Sequence, residues 1–230
     1  MADWSLRIAS ENGVILYVEG EQLIEQNSQI MALCDRIQLS PPTWIQELLP
    51  SYRSVLVLFD PYAIDHLGVK AWLRTQLNDL PPRVEGSVKQ HRIPVLYGAK
   101  QTPDLAHVAK ANGLSEQQVI ELHCQQNYRV FALGFSPGFG FLGEVDERIA
   151  TPRLATPRQQ VPTGAVAIAD KQTAIYPTTS PGGWNLIGLC PVPMFNKYAE
   201  SPCRLAVGDE VVFYPVTPDH FDSIRRENCQ

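Results

Sequence analysis

The sequence withholds most of the features that assign a chain at sight. No cysteines stand in C-x-x-C spacing: Cys34, Cys124, Cys190, Cys203 and Cys229 are scattered and odd in number. That pattern excludes a disulfide framework and a finger-type zinc site. Positive charge is in deficit, with 19 Lys and Arg against 24 Asp and Glu and a net charge of −5. A broad basic surface is therefore excluded, and nucleic acid with it as a partner. No apolar run approaches the roughly 18 residues of a membrane helix. The opening residues, Met1 to Arg7, lack the basic stretch and apolar core of a signal peptide. The expected compartment is the cytoplasm, with no membrane as partner. Walker-type G-x-x-x-x-G-K-[ST], H-E-x-x-H and EF-hand patterns are missing, which leaves no recognisable metal site. A G-x-S-x-G elbow is missing too, because Ser136 is followed by Pro137 where an elbow needs a helix.

What is present is a 230-residue chain with 44% hydrophobic residues and 19 prolines. A chain of this size buries roughly 70–75% of its unfolded surface, so it carries its own core. Its proline content favours strands and turns over long helices. The first 80 or so residues alternate short strands and amphipathic helices. Gly13–Val18 reads as a strand, then Leu23, Ile24, Ile30, Met31, Cys34 and Ile37 fall on one helical face that Pro41-Pro42 closes. Ser54–Phe59 reads as a fully buried strand. Ile64, Leu67, Trp72, Leu73, Leu77 and Leu80 then suggest a second helix stopped by Pro81-Pro82. The alternation predicts a small α+β layer sandwich of ferredoxin-like type over residues 1–85.

Residues 86–230 read differently. Ile93–Tyr97 is strand-like, Thr102 with Pro103 is placed to cap a short helix, and Ser115-Glu-Gln-Gln118 has capping-box form before Val119–His123. From Tyr128 onward, apolar runs at 128–133, 165–169, 173–176, 185–189 and 211–216 are divided by Pro and Gly. Strands without intervening helices predict a barrel or sandwich. The seam between the two domains is expected near residues 82–90.

Gly138, Gly140 and Gly143 spell a literal G-x-G-x-x-G after the strand-like Tyr128–Leu133. A dinucleotide loop needs a helix next, whose N-terminus holds the pyrophosphate. Pro152, Pro157 and Pro162 forbid one here, and the acidic residue expected about twenty positions on is replaced by Arg158, Gln159 and Gln160. The match is incidental. More informative is an echo, Ala150-Thr-Pro-Arg153 followed by Ala155-Thr-Pro-Arg158. Each proline extends the residue before it, which presents both guanidinium groups from a stiff loop suited to carboxylate or phosphate. Two solvated surface arginines would read the same way. Ser180-Pro-Gly-Gly-Trp184 sets a tight turn beside an aromatic, as a pocket wall or as the cap of a barrel end. His123 ends an apolar helix face, where a histidine serves either as a satisfied core residue or as an acid–base group. His66, His91, His107 and His220 have no neighbours in sequence that suggest chemistry.

Five segments then stand in series: Val119–His123, Gly134–Phe139, the two Thr-Pro-Arg triplets leading to Val161-Pro-Thr-Gly164, Gln172–Pro177 and Ser180–Trp184. Together they resemble the allophanate hydrolase subunit 1 family, also called the KipI family or the family of 5-oxoprolinase B subunits. Tyr52–Val57 with Asp60-Pro61, and Gly208–Phe213, extend the likeness over nearly the whole chain, although Ala99 and Thr102 replace usual glycines. The resemblance implies a cyclophilin-like β-barrel in the second domain. It also implies two partners, a C subunit of allophanate hydrolase subunit 2 type and an A subunit of LamB/YcsF type. With these the chain would cleave 5-oxo-L-proline to L-glutamate with ATP hydrolysis in the complex. The site it implies has His123, Arg153 and Arg158 as reacting or anion-holding groups, with Phe139, Gln172, Tyr176, Gly182, Gly183 and Trp184 lining it. Two other roles fit the same family: a KipI-like inhibitor of a sensor histidine kinase, and a carboxyltransferase component of allophanate hydrolase or urea-carboxylase type.

Overall fold

The structure is a computed structural model and describes residues 3–81 and 88–228. It divides into two compact units, Met1–Val88 and Lys89–Gln230. The expected boundary after residue 85 lies outside the described residues, as does Cys229.

The first unit runs β1 (Trp4–Ser10), β2 (Gly13–Val18), α1 (Leu23–Leu39), β3 (Ile45–Ser51), β4 (Ser54–Phe59) and α2 (His66–Leu77). The strands lie in the order β1-β2-β4-β3, all antiparallel. An α+β layer is therefore present, but in ββαββα order instead of the βαββαβ of a ferredoxin-like unit. Sequence pattern missed β1 and β3 because neither alternates cleanly. β1 is half-exposed along its length, and β3 carries Glu47 and Pro50.

The core of this unit follows a period of two on the strands. Val14, Leu16 and Val18 face Val55, Val57 and Phe59, all at 0% exposure. Burying each such side chain contributes about 1.5–3 kcal/mol. β4 is thus buried on alternate residues and not throughout. On α1, Ile30, Leu33, Cys34 and Ile37 face that core, whereas Ile24 is exposed. The first turns instead bury Gln26 and Asn27. Gln26 donates to the carbonyls of Val18 and Gly20, and Asn27 to that of Tyr52. Those bonds offset the desolvation of the two amides. Leu67 on α2 is likewise exposed, and Val69 and Leu73 carry the contact.

The second unit comprises β5 (Gln90–Tyr97), α3 (Leu105–Ala111), α4 (Glu116–Gln125), β6 (Tyr128–Leu133), β7 (Gly140–Gly143), β8 (Arg158–Val161), β9 (Ala165–Ala169), β10 (Gln172–Ile175), β11 (Ser180–Gly182), β12 (Asn185–Leu189), β13 (Glu210–Pro215) and α5 (Pro218–Glu227). Seven strands in the order β6-β13-β5-β12-β9-β10-β7 close into a barrel, because β7 also pairs with β6. β13 runs parallel to β5, and β8 and β11 form a separate two-stranded ribbon. The capping box at Ser115 and Gln118 forms as expected. Thr102, by contrast, bonds the carbonyl of Ala99, and Asp104 takes the N-cap position of α3. The run after Tyr128 is not all-β either. Thr217 caps α5, with Pro218 in its first turn and Phe221 buried.

β9, Ala-Val-Ala-Ile-Ala, is buried on every residue and explains how the unit is layered. Successive side chains of a strand point to opposite faces. Val166 and Ile168 join Val119, Leu122, Val130, Val211 and Phe213 on the face that carries α4. Ala165, Ala167 and Ala169 join Phe139, Tyr176 and Trp184 on the other. Alanine on that second face leaves room for the aromatic rings.

Candidate functional site

The glycine-rich stretch builds an aromatic cluster and no nucleotide loop. Gly140 and Gly143 belong to β7, and the segment leading from them to β8 holds a single helical turn, at Glu147–Ile149. The preceding loop is tied by Phe139 N–H to the carbonyl of Ser136 and by Gly134 N–H to that of Phe139, at 3.0 and 3.1 Å. Phe139 is 2% exposed and packs edge-on against Phe135, Phe141, Tyr176 and Trp184, with ring centroids 4.9–5.8 Å apart. Such edge-to-face pairs add about 0.5–1.5 kcal/mol beyond area burial. Phe135 is 64% exposed and sits at φ +68°, a strained position for a bulky side chain.

The ribbon of β8 and β11 brings both arginines to this cluster. Arg158 stands opposite Gly182. A Cβ at Gly182 would collide with the Tyr176 hydroxyl, which gives that glycine its reason. Gly183 accepts the N–H of Leu154 at 2.7 Å, holding the loop that carries Arg153. The guanidinium carbon of Arg153 lies 5.6 Å from the centroid of the Trp184 ring, while the rest of that side chain is exposed. Arg158 is committed differently. One of its amino groups donates to Asp104 Oδ1 at 2.6 Å and the other to the carbonyl of Trp184 at 3.3 Å. Burial raises the Tyr176 phenol, and the positive charge of Arg153 and Arg158 opposes that rise.

Of the expected site residues, Phe139, Tyr176, Gly182, Gly183, Trp184 and both arginines are brought together. Gln172 shares the strand parity of Tyr176 but pairs with Gly143 and Ala169. It lies four residues, about 13 Å, along the strand. His123 is on the wrong side of the sheet altogether. It bonds Thr173, the neighbour of Ala174 on β10, and Thr173 and Ala174 point to opposite faces. Its ring is fully buried and stacked on Phe213, with Tyr97 Oη on Nδ1 at 2.7 Å and Thr173 Oγ1 on Nε2 at 2.9 Å. Burial alone lowers its pKa to about 3. Both of its nitrogens are bonded to hydroxyls and its ring is buried, so in this structure His123 is held on the face of the sheet opposite the arginines and the aromatic cluster. Nothing in the spacing of Tyr97 and Thr173 announced this network.

A neutral buried histidine makes stability depend on pH. The unfolded chain takes up its proton near pH 6.5, and the folded chain only near 3. Protons therefore favour unfolding across that window, and stability falls as the pH drops below about 6.5. The expected slope from this residue is about 1.4 kcal/mol per pH unit between pH 6 and 4. Denaturant midpoints of the chain and of His123→Gln, taken over that range, check it. The variant should lose that component of the slope, and parallel curves would contradict the assignment.

Sequence reading also missed a second buried pair. His91 Nε2 lies 2.8 Å from Asp209 Oδ2, tying β5 to the turn before β13. Among the described residues no group of three or more His, Cys, Asp or Glu side chains gathers that could hold a metal ion. Among those residues, too, no helix is long and apolar enough to cross a membrane.

Comparison with known proteins places these features in context. The model of the carboxyltransferase domain, subdomain C and D, matches residues 4–205. The chain is 36% identical over 220 residues to the 5-oxoprolinase B subunit of Bacillus subtilis (strain 168), covering 91% of this chain and 92% of that protein. It is 25% identical over 253 residues to urea amidolyase of Saccharomyces cerevisiae, covering 94% of this chain and 13% of that protein. The crystal structure of TTHA0988 superposes with a TM-score of 0.78 at 36% identity, covering 93% of this chain and 40% of that one.

Proposed function

Since this chain belongs to the carboxyltransferase subdomain C and D family, we propose that it is the B subunit of an ATP-dependent 5-oxoprolinase. It acts with a C subunit of allophanate hydrolase subunit 2 type and an A subunit of LamB/YcsF type, in the cytoplasm, and it is inactive without them. The complex opens the lactam of 5-oxo-L-proline to L-glutamate as ATP is hydrolysed. Phosphorylation of the lactam oxygen turns a poor amide electrophile into one that water attacks. The barrel is of cyclophilin-like type.

The observation that carries the reading is the chemistry of the rim. It offers a cation over a buried tryptophan and an apolar aromatic wall. Such a surface binds and orients a small, flat, anionic ring and leaves the reacting groups to a partner. Phe139, Tyr176 and Trp184 would pack against the ring of 5-oxo-L-proline, with Gly182 and Gly183 allowing close approach of the backbone. Arg153 would hold the carboxylate. No residue of this chain is assigned to the nucleotide, which fits the missing Walker motif.

A second reading is favoured by the likeness to urea amidolyase: a carboxyltransferase component of urea-carboxylase type, again dependent on partners. Reconstitution separates the two. Mixed with both partner subunits, the chain should release glutamate from 5-oxo-L-proline in an ATP-dependent manner. Turnover of allophanate or of a carboxylated carrier, with no glutamate formed, would reject the first reading for the second.

A further inference from the structure

Two arginines five residues apart in an echoed Ala-Thr-Pro-Arg would be expected to act alike, and the structure gives them opposite surroundings. Arg158 spends its amino groups on Asp104 Oδ1 and on the carbonyl of Trp184. Asp104 is itself held at three points. Its Oδ2 accepts the N–H of Leu186 at 2.7 Å, its own N–H donates to the carbonyl of Leu186 at 2.9 Å, and Oδ1 takes Arg158. Its side chain is 10% exposed, against 27% for Arg158. The pair therefore knots the start of α3, β12 and β8 together around the backbone of Trp184. An anion arriving at Arg158 would meet a guanidinium already neutralised by a carboxylate, and would be repelled by that carboxylate across a few ångströms. Arg153 has no side-chain hydrogen bond or ion pair among the described residues, and the Trp184 ring lies beneath it. A guanidinium resting over an aromatic ring is oriented while its N–H donors stay available.

We infer that Asp104 is a positioning residue that withdraws Arg158 from ligand binding and sets Trp184, leaving Arg153 as the guanidinium that receives the substrate's carboxylate. This rests on the reading that the rim takes an anionic substrate. It goes beyond that reading by dividing the work between the two arginines and by giving a role to Asp104, the last residue of Tyr97-Gly-Ala-Lys-Gln-Thr-Pro-Asp104.

The test follows the arginine side-chain N–H resonances of the 15N-arginine-labelled full chain, combined with its unlabelled partner subunits. Three probes are added in turn: 5-oxo-L-proline, 2-pyrrolidinone as the same ring without the carboxylate, and inorganic phosphate. In the wild-type chain, Arg158 should show the slow guanidinium rotation of a fixed ion pair and should not respond to any probe. Arg153 should shift with 5-oxo-L-proline and not with 2-pyrrolidinone. In Asp104→Asn, Arg158 should rotate freely and begin to respond. Arg158→Lys, should Asp104→Asn fail to fold, should leave the Arg153 response intact. In turnover, Arg153→Lys should raise KM for 5-oxo-L-proline about tenfold with kcat little changed, and Asp104→Asn should lower kcat. The inference is overturned if Arg158 rotates freely or shifts with 5-oxo-L-proline in the wild type. It is equally overturned if Arg153 stays still, or answers phosphate and not 5-oxo-L-proline. Failure of the catalytic reading is recorded separately, as no glutamate from the wild-type mixture, whereas failure of the inference alone leaves glutamate formed while Arg153 stays still or Arg158 responds.

Discussion

Arg153→Ala should reduce kcat/KM for 5-oxo-L-proline about a hundredfold in the reconstituted complex, while the folded chain melts within a few degrees of wild type. The size follows from the interaction removed. A charge-assisted hydrogen bond to a partly desolvated carboxylate, lost while the carboxylate stays, costs about 3 kcal/mol. At 1.36 kcal/mol per factor of ten, that is roughly two orders of magnitude. Stability should hold because the side chain is exposed and rests on the Trp184 ring, a cation–π pair of about 0.5–1 kcal/mol at such a site. Arg158→Ala should behave in the opposite sense. It strands the buried Asp104 carboxylate, and breaking such a pair destabilises by about 3 kcal/mol. Initial rates over a range of substrate, with melting curves beside them, check both. An Arg153→Ala complex with kcat/KM within twofold of wild type would remove the anion-holding role.

The second large effect is expected at Gly138. Its φ is +82°, in the left-handed region, and a Cβ there would lie 2.8 Å from the carbonyl oxygen of Met194 and from Phe195 Cβ. Left-handed strain in a non-glycine residue and overpacking against backbone each cost about 1–3 kcal/mol. Gly138→Ala should therefore destabilise the chain by about 3 kcal/mol, a fall in Tm of roughly 6–12 °C at this size. Gly113 supplies the control. Its φ is +67°, yet a Cβ there would meet nothing within 4 Å, so Gly113→Ala should cost only about 1 kcal/mol. Differential scanning calorimetry of the two variants separates conformational strain from collision. Equal losses would mean that the Met194 contact contributes nothing.

Much of this was legible before any coordinates. The capping box at Ser115 is local chemistry, and it forms as read. The apolar runs from Tyr128 onward became β6, β9, β10, β12 and β13 because short runs bounded by Pro and Gly have few other ways to be buried. The prolines after Gly143 ruled out a dinucleotide helix, and only a single helical turn is found there. The features that could not be read are those that depend on partners distant in the chain. β7, β8 and β11 have three or four residues each and exist through pairing. The ferredoxin-like order failed because β1 and β3 lack the continuous apolar runs that marked β2 and β4. His123 was grouped with the arginines since both belong to the family's motif series. The side chains of β10 alternate, and that alternation puts Thr173 with His123 on one face and Ala174 on the other, with Tyr176 and Trp184. Asp104 closes the stretch Tyr97–Asp104, in which Ala99 and Thr102 replace the family's usual glycines, but its role could not be read there because it consists of bonds to Arg158 and Leu186, 54 and 82 residues away.

The central claim is that this chain supplies one wall of a site that its partners complete. The direct measurement is ATP-dependent glutamate formation from 5-oxo-L-proline by the two purified partner subunits, with this chain omitted and then added back. The account predicts no glutamate from the two partners alone, none from this chain alone, and recovery that rises with added chain until the partners are saturated. Glutamate formed at the full rate in its absence would contradict it, as would a complete mixture that hydrolyses ATP yet leaves 5-oxo-L-proline untouched.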